Sequence, residues 1–149
     1  MAINRLRNNP IVILDSNALF MPFQFKLNLD SELLRLLGGY EIIIPSSVLT
    51  EVHTLSHHEK FGSEALKLAR SKPSPAWYQN LEAKLLGFND REKKNNKKLT
   101  VDDELILIAK KLNGIVVTND KVLLKKLHDL GVRTISMRAK KYLKLNFQL

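Results

Sequence analysis

The feature that most constrains the fold is a set of short, continuous apolar runs rich in β-branched residues. They occupy residues 11–14, 42–44, 115–118 and 132–136. Runs of this length and composition indicate strands that are buried on both faces, as in a parallel sheet. Each run ends in turn or cap residues, so the sequence predicts at least four buried strands.

Helix-like patterns separate these runs. Apolar spacing predicts helices over residues 29–37, about 59–70, 101–112 and 121–130. Another helix is predicted to run to Leu55, with Ser46 or Ser47 as its N-cap. Strands that alternate with helices imply βαβ units, and right-handed crossovers place helices on both faces of a parallel sheet. Residues 18–28 are apolar but irregular. Residues 71–99 do not resolve into one element: Trp77 to Phe88 suits either a strand or a short helix, and the polar run from Asp90 to Lys98 suggests an exposed loop.

Length and composition limit the number of domains, the cysteine chemistry and the compartment that we expect for this chain. The 149 residues suit one domain, with residues 1–10 as an extension and 138–149 as a basic tail. The absence of cysteine excludes disulfides and zinc–sulfur sites. No apolar run is long enough to cross a bilayer, and no apolar segment precedes Pro10. We therefore expect a cytoplasmic protein without a membrane partner.

The net charge narrows the range of binding partners that we expect. The chain carries 24 Lys and Arg against 15 Asp and Glu, a formal charge of +9. Such an excess favours a polyanion, and nucleic acid is the commonest one, although a basic soluble protein without such a partner is the simpler alternative.

Acidic side chains fall where parallel strands end and helices begin. Asp15 follows the first strand directly, and Asp120 lies shortly after the third. Glu51 lies near the start of the helix after the second strand, and Asp102 and Asp103 lie in the first turn of another helix. The carboxyl ends of parallel strands meet at one edge, which is where functional crevices form, so these acids are predicted to converge.

A convergent set of carboxylates indicates a metal site. Like charges in one cleft raise one another's pKa, and a hard cation such as Mg²⁺ or Mn²⁺ removes that conflict. The ion would activate water and polarise a phosphate oxygen. Taken singly, each acid also has a structural explanation, such as a helix cap. His53 and His57, spaced i, i+4, are a rival pair, but the glutamate of the HExxH zinc motif is missing between them.

Four segments carry a resemblance to a known family. ILDSNAL, PSSVLTEV, TVDDELILIA and IVVTNDKVLLKKL resemble the signature segments of PIN-domain ribonucleases across residues 11–137. FQFKLNLDSELLRLLGG and VRTISMRAKKYL are similar to archaeal relatives of the eukaryotic nuclease that cuts precursor ribosomal RNA in the small-subunit processome. VapC toxins of toxin–antitoxin pairs form the nearest other branch.

The resemblance implies a three-layer α/β/α fold with a central parallel sheet of about five strands. It implies that Asp15, Glu51, Asp120 and one acid of the Asp102–Asp103 pair bind Mg²⁺ or Mn²⁺ and activate water. Counting back from Gly114 favours Asp103, whereas the doubled acid of the processome branch leaves Asp102 open. The residues expected to orient these ligands are Ser16, Asn17, Thr118 and Asn119.

The implied activity is an endoribonuclease of ribosomal RNA processing, with precursor ribosomal RNA and ribosome-assembly proteins as partners and a homodimer as the expected state. The alternatives are a VapC-like toxin and a non-catalytic RNA-binding module. Basic side chains are expected to contact RNA phosphates, namely Arg91, Lys93, Lys94, Lys97, Lys98, Arg138, Lys140 and Lys141. Two solvated basic surfaces are the alternative interpretation of these residues.

Overall fold

The structure is a computed structural model that describes the backbone of residues 9–92 and 99–146, and the side chains of residues 9–86 and 99–146. One or more helices separate each of the first four strands from the next, and a turn joins the last two strands. In order they are β1 (Ile11–Leu14), α1 (Ser16–Gln24), α2 (Leu29–Leu37), β2 (Glu41–Ile43), α3 (Ser46–Leu55), α4 (Gly62–Arg70), α5 (Ala76–Glu92), α6 (Val101–Leu112), β3 (Ile115–Val117), α7 (Lys121–Asp129), β4 (Arg133–Arg138) and β5 (Tyr142–Asn146).

The five strands form one sheet in the order β2-β1-β3-β4-β5. The ladders that join β2, β1, β3 and β4 are parallel, and β5 pairs antiparallel to β4. The predicted α/β fold with a largely parallel five-stranded sheet between helices is therefore confirmed.

The apolar runs form the centre of the core. Val12, Ile13 and Leu14 in β1, and all three residues of β3, are fully buried. Strands covered on both faces need no polar alternation, which is why these runs are continuously apolar. The central position of β1 and β3 places their carboxyl ends in the middle of one sheet edge.

Two segments that the sequence left unassigned are helices. The irregular stretch after Asp15 forms α1, which the Asp15 side chain caps by accepting from Ala18 N–H at 2.9 Å. Residues 71–99 contain the 17-residue helix α5. Trp77 and Tyr78 at its start face other parts of the domain. Trp77 donates to Glu41 Oε1 at 2.9 Å, and Tyr78 is 1% exposed.

The segment expected to be a basic tail contributes a strand. Tyr142–Asn146 forms β5, in which partly exposed or exposed positions surround the buried Leu143. The lysines at 140, 141 and 144 dominate the composition there and mask the apolar alternation of Leu143 and Leu145. Pairing with β4, together with burial of Leu143, outweighs that charge.

Side chains cover main-chain groups at both outer strands. Beyond β2, the hydroxyl of Ser74 accepts from Ile44 N–H at 3.1 Å and donates to Ile44 O at 3.2 Å. At β5, Leu143 N–H donates to Glu32 Oε1 and Leu143 O accepts from Arg35, both at 2.7 Å. Main-chain N–H and C=O groups that are hydrogen-bonded in this way are not available to pair with a strand of another chain. Among the described residues, no helix is both long and apolar enough to span a membrane.

Candidate active site

Asp15 is the most buried carboxylate in the described part of the chain. It follows β1 directly and is 6% exposed. Burial is the main reason that its pKa is raised to about 7. Hydrogen bonds from the Thr118 side chain and Ala18 N–H act against that rise, and the charges of Glu51 and Asp120 add to it. Asp15 therefore lies beside two other acids from distant parts of the chain.

Asp120 follows β3 at the same edge of the sheet. One of its carboxylate oxygens caps α7 by accepting from Val122 N–H at 2.9 Å and Leu123 N–H at 3.1 Å. The fully buried Thr118 hydroxyl accepts from Asp120 N–H at 3.0 Å and is also hydrogen-bonded to Asp15. A single hydroxyl thus links the two aspartates that the sequence predicted to meet.

Glu51 and Asp102 complete the group from the helical layer. Glu51 lies in α3 and Asp102 is the second residue of α6, and these two helices contact each other. Burial raises the pKa of Asp102, and the charges of Asp120, Glu51 and Asp103 raise it too, whereas Lys126 lowers it. Because Glu51 and Asp120 act on both Asp15 and Asp102, these four residues form one cluster, which we call the acidic centre.

Asp103 has a different position from its neighbour. It is exposed, and its carboxylate accepts from Thr100 N–H at 3.2 Å while Thr100 Oγ1 accepts from Asp103 N–H at 3.1 Å. This reciprocal pair is a capping box at the start of α6. Counting back from Gly114 had favoured Asp103 as the metal ligand, but the geometry favours Asp102 as the acid that faces the centre.

A chain of amide contacts fixes the backbone around these acids. Asn17 Oδ1 accepts from Asn119 N–H at 3.0 Å, and Asn119 Oδ1 accepts from Met137 N–H at 2.8 Å. The loop after β3 is thereby tied to α1 on one side and to β4 on the other. Ser16 is the first residue of α1, next to Asp15. The four residues expected to orient the ligands therefore lie around the acidic centre.

The start of α3 is supported from α5, which the sequence did not predict. Its N-cap is Pro45, without a side-chain cap, so the expectation that Ser46 or Ser47 caps the helix was wrong. Instead Glu82 Oε2 accepts from Ser46 N–H at 3.1 Å and from the Tyr78 hydroxyl at 2.5 Å. The available signal was the i, i+4 spacing of tyrosine and glutamate, which shows only once residues 76–92 are known to be helical.

Lys126 is a second contributor that the sequence did not single out. It lies in α7, it is exposed, and its charge lowers the pKa of Asp102. Its positive charge therefore lies close to the acidic centre. A lysine at that place offers a contact to an anion bound next to the carboxylates.

The donors of the acidic centre suit a hard divalent ion. All four are carboxylates, and the charges of Glu51 and Asp120 disfavour the ionised forms of the partly or fully buried Asp15 and Asp102, which a cation would reverse. No three His, Asp or Glu side chains among those described stand close enough together to hold one ion as they are. One oxygen of the Asp120 carboxylate accepts from two amides at the start of α7. The donor chemistry fits Mg²⁺ or Mn²⁺, and binding would require side-chain rotation.

The other predicted residues lie elsewhere. His53 and His57 are exposed with ring centroids 5.3 Å apart, and within the described side chains no third ligand joins them. Arg138, Lys140 and Lys141 are exposed around the β4–β5 turn. The remaining predicted RNA contacts, Arg91, Lys93, Lys94, Lys97 and Lys98, lie outside the described side chains.

Fold and site together define a class: an α/β domain whose acids gather at the carboxyl edge of a largely parallel sheet. A family model described as a PIN like domain matches residues 12–140. The chain therefore belongs to the PIN-like domain family, as the sequence motifs predicted.

Solved structures agree on the fold. The chain is similar to the protein described as "the PIN domain endonuclease Utp24", with a TM-score of 0.67 and 19% sequence identity. The similarity covers 93% of this chain and 92% of that one, so it extends over the whole domain. A search of curated proteins found no match.

Proposed function

We propose that the protein is a divalent-metal-dependent endoribonuclease that hydrolyses RNA phosphodiester bonds at the acidic centre. The observation that carries the proposal is the coupling of four carboxylates at one sheet edge, with the pKa of the buried Asp15 raised to about 7. A cluster that opposes its own ionisation costs folding free energy, which a bound cation and its chemistry would explain. The similarity to a PIN domain endonuclease supports the same activity.

Asp15, Glu51, Asp102 and Asp120 would hold Mg²⁺ or Mn²⁺. When bound, such an ion lowers the pKa of water and stabilises charge on phosphate oxygens. The protein itself contributes by holding these carboxylates in position. Thr118 bridges Asp15 and Asp120, and the Asn17–Asn119 contact fixes the loop between them. The exposed Lys126 is placed to contact a phosphate next to the carboxylates.

Precursor ribosomal RNA is the proposed substrate class. The support is the resemblance of FQFKLNLDSELLRLLGG and VRTISMRAKKYL to the processome branch, together with the charge of +9. We also propose a cytoplasmic location, which suits the archaeal relatives of this branch that the two segments resemble.

The test is cleavage of a labelled single-stranded RNA by the wild-type protein with Mn²⁺, with Mg²⁺ and with EDTA. We expect cleavage with metal, none with EDTA, and a loss on the order of 100-fold or more in Asp15→Asn. Asp129→Asn is the matched control, because Asp129 is an exposed carboxylate at the other end of α7.

Two results would contradict the proposal. Equal cleavage by wild type and Asp15→Asn would show that the activity does not belong to the acidic centre. Salt-sensitive RNA binding without cleavage at any divalent metal would indicate a non-catalytic RNA-binding module instead.

A further inference from the structure

The β4–β5 turn holds an unusual backbone conformation. Lys141 N–H donates to Arg138 O at 3.0 Å, and the two central residues, Ala139 and Lys140, have φ of +53° and +56°. Two successive turn residues with positive φ form a backbone geometry in which asparagine and glycine are normally found. Ala and Lys in left-handed conformations cost folding free energy, and such costs collect at functional sites.

The turn lies at the same sheet edge as the acidic centre. β4 runs parallel to β3, with Val117 paired to Ile135. Asp120 lies three residues after Val117, and Arg138 lies three residues after Ile135, so both lie at about the same height along the strands. Adjacent strands are about 5 Å apart, which puts β5 about 10 Å from the β3 column. A short stretch of single-stranded RNA spans that distance.

The polar face of the hairpin lies on the same side of the sheet as α7. Arg138 is paired with Tyr142, and side chains on this face recur every second residue back to Thr134. Thr134 Oγ1 lies 3.0 Å from His128 Nε2 of α7, the helix that Asp120 caps. The hairpin face and the acidic centre therefore share both an edge and a side of the sheet.

Tyr142 is the only exposed Phe, Tyr or Trp residue among the described side chains, at 46% exposure. The Arg35 guanidinium carbon lies over its ring, 6.0 Å from the centroid. Arg35 is fixed by hydrogen bonds to Glu32 Oε1 at 2.9 Å and to Leu143 O at 2.7 Å. The ring is thus held in place on its strand while nearly half of the residue remains open to solvent.

The charges around this ring are predominantly positive, and the nearby Glu32 carboxylate is engaged in holding Arg35. Arg138, Lys140, Lys141 and Lys144 are exposed within seven residues of chain. An exposed aromatic ring surrounded by lysines and arginines matches the chemistry of single-stranded RNA, whose bases stack on rings while its phosphates contact cations.

We propose that the β4–β5 hairpin is a docking platform for single-stranded RNA, on which Tyr142 stacks against a base while Lys140 and Lys141 contact phosphates. The platform rests on the proposed function, because it would deliver the strand to the acidic centre along the same sheet edge. A duplex would not use it fully, since paired bases keep their faces stacked within the helix.

The experiment measures binding rather than cleavage. Fluorescence anisotropy in EDTA compares three labelled probes: a short single-stranded RNA, the same strand with abasic residues, and its duplex. The variants are Tyr142→Ala, Tyr142→Phe, Lys140→Ala and Lys141→Ala. Lys111→Ala is the matched lysine control, because α6 ends there at the opposite edge of the sheet. Tyr142→Leu, which keeps an apolar side chain on β5, is the second variant if Tyr142→Ala unfolds.

The expected pattern is specific to stacking. Tyr142→Ala weakens single-strand binding about 5- to 150-fold, the range for loss of one base–aromatic stack, and Tyr142→Phe changes it little. The abasic and duplex probes bind wild type and Tyr142→Ala alike. Lys140→Ala and Lys141→Ala each reduce the slope of log affinity against log salt by about 0.7, and Lys111→Ala leaves it unchanged.

Three results would overturn the platform: no RNA binding by wild type, unchanged binding by Tyr142→Ala, or an equal loss on the abasic probe. Because the assay contains EDTA, it is independent of catalysis. Binding through Tyr142 by a protein that never cleaves RNA would sustain the platform and refute the nuclease. RNA cleavage by wild type, together with unchanged RNA binding in Tyr142→Ala, would support the nuclease and refute the platform.

Discussion

The acidic centre and the β4–β5 hairpin share one edge of the sheet but are built in opposite ways. The acidic centre draws four carboxylates from positions 15 to 120, around central strands whose burial raises the pKa of Asp15 to about 7. The hairpin gathers four cations within seven consecutive residues and leaves them exposed. One region is thus assembled by the tertiary structure, and the other by local sequence.

The difference shows where like charges are costly. At the hairpin, water screens the lysines, so crowding them costs little folding free energy. At the acidic centre, burial removes the carboxylates from water and raises the pKa values of Asp15 and Asp102, and the like charges nearby raise them further. We therefore expect changes in the acidic centre to alter stability and chemistry together, and changes in the hairpin to alter mainly binding.

The largest effect should be the pH dependence that Asp15 gives to stability. Its pKa rises from the ordinary value of 3.8 to about 7 in the folded protein, which corresponds to about 4 kcal/mol. Because the folded state binds this proton more tightly, the metal-free protein loses stability as pH rises from about 4 to 7 and stays flat above.

Urea unfolding in EDTA measures this effect. Asp15→Asn keeps the cap on α1. Its free energy of unfolding, relative to that of wild type, should rise by up to about 4 kcal/mol between pH 4 and pH 8. Mn²⁺ at pH 8 should stabilise wild type and not the variant. A difference that does not change with pH would mean that the carboxylate is better solvated than its 6% exposure implies.

The next effect separates the two neighbouring aspartates. Asp102→Asn should lower RNA cleavage about 10- to 100-fold, because Asp102 faces the acidic centre. Asp103→Asn should change it only a few-fold, since that carboxylate caps α6. Steady-state kinetics with Mn²⁺ on both variants would decide between them, and the reverse order would restore Asp103 as the ligand.

A smaller effect concerns the support of the acidic centre from α5. Tyr78→Phe removes the hydrogen bond to Glu82 from a residue that is 1% exposed, which should cost about 1–2 kcal/mol of unfolding free energy. Glu82 holds the start of the helix that carries Glu51, so Mn²⁺ affinity should fall too.

Tyr40→Phe provides the matched control for that substitution. Tyr40 also donates to a carboxylate, Asp30, at 2.8 Å, but it is partly exposed and belongs to another part of the domain. Its loss should cost less stability and leave Mn²⁺ affinity unchanged. If both variants lowered Mn²⁺ affinity equally, the Tyr78 contact would have no special connection to the acidic centre.

The smallest effect tests the hairpin turn. Ala139→Gly should stabilise the protein by about 0.5–1 kcal/mol, because glycine adopts the φ of +53° without strain. Ala83→Gly, on the exposed side of α5, should destabilise it by a similar amount. Thermal unfolding of both variants checks the opposite signs, and RNA binding by Ala139→Gly should match wild type.

The sequence predicted the parts whose signals are local. Continuous apolar runs predicted the four parallel strands, and the helices at 29–37, 101–112 and 121–130 agree with the structure to within a residue. It missed β5 because the lysines hid its alternation. It left α5 open between a strand and a short helix over Trp77 to Phe88, because Pro73 and Pro75 precede that helix and the run from Asp90 to Lys98 is strongly polar.

For the acidic centre, the topological rule about strand ends was enough to bring Asp15, Glu51 and Asp120 together. It was not enough to choose between Asp102 and Asp103, which are adjacent in the chain and differ only in the direction of the side chain. The hydrogen bonds through which Glu82 and Tyr78 support α3 could not be predicted from the sequence either. They join two helices whose packing depends on the whole core.

By itself, the sequence determined that this chain forms a parallel α/β domain with acids at the strand ends and cations near its C-terminal end. Those properties follow from side-chain type and spacing, which are local. Only the tertiary structure decided that Asp15 is buried, that Asp102 turns inward while Asp103 caps its helix, and that Arg35 meets Tyr142. Burial and side-chain direction depend on contacts between residues far apart in the chain, so they exist only once the domain has packed.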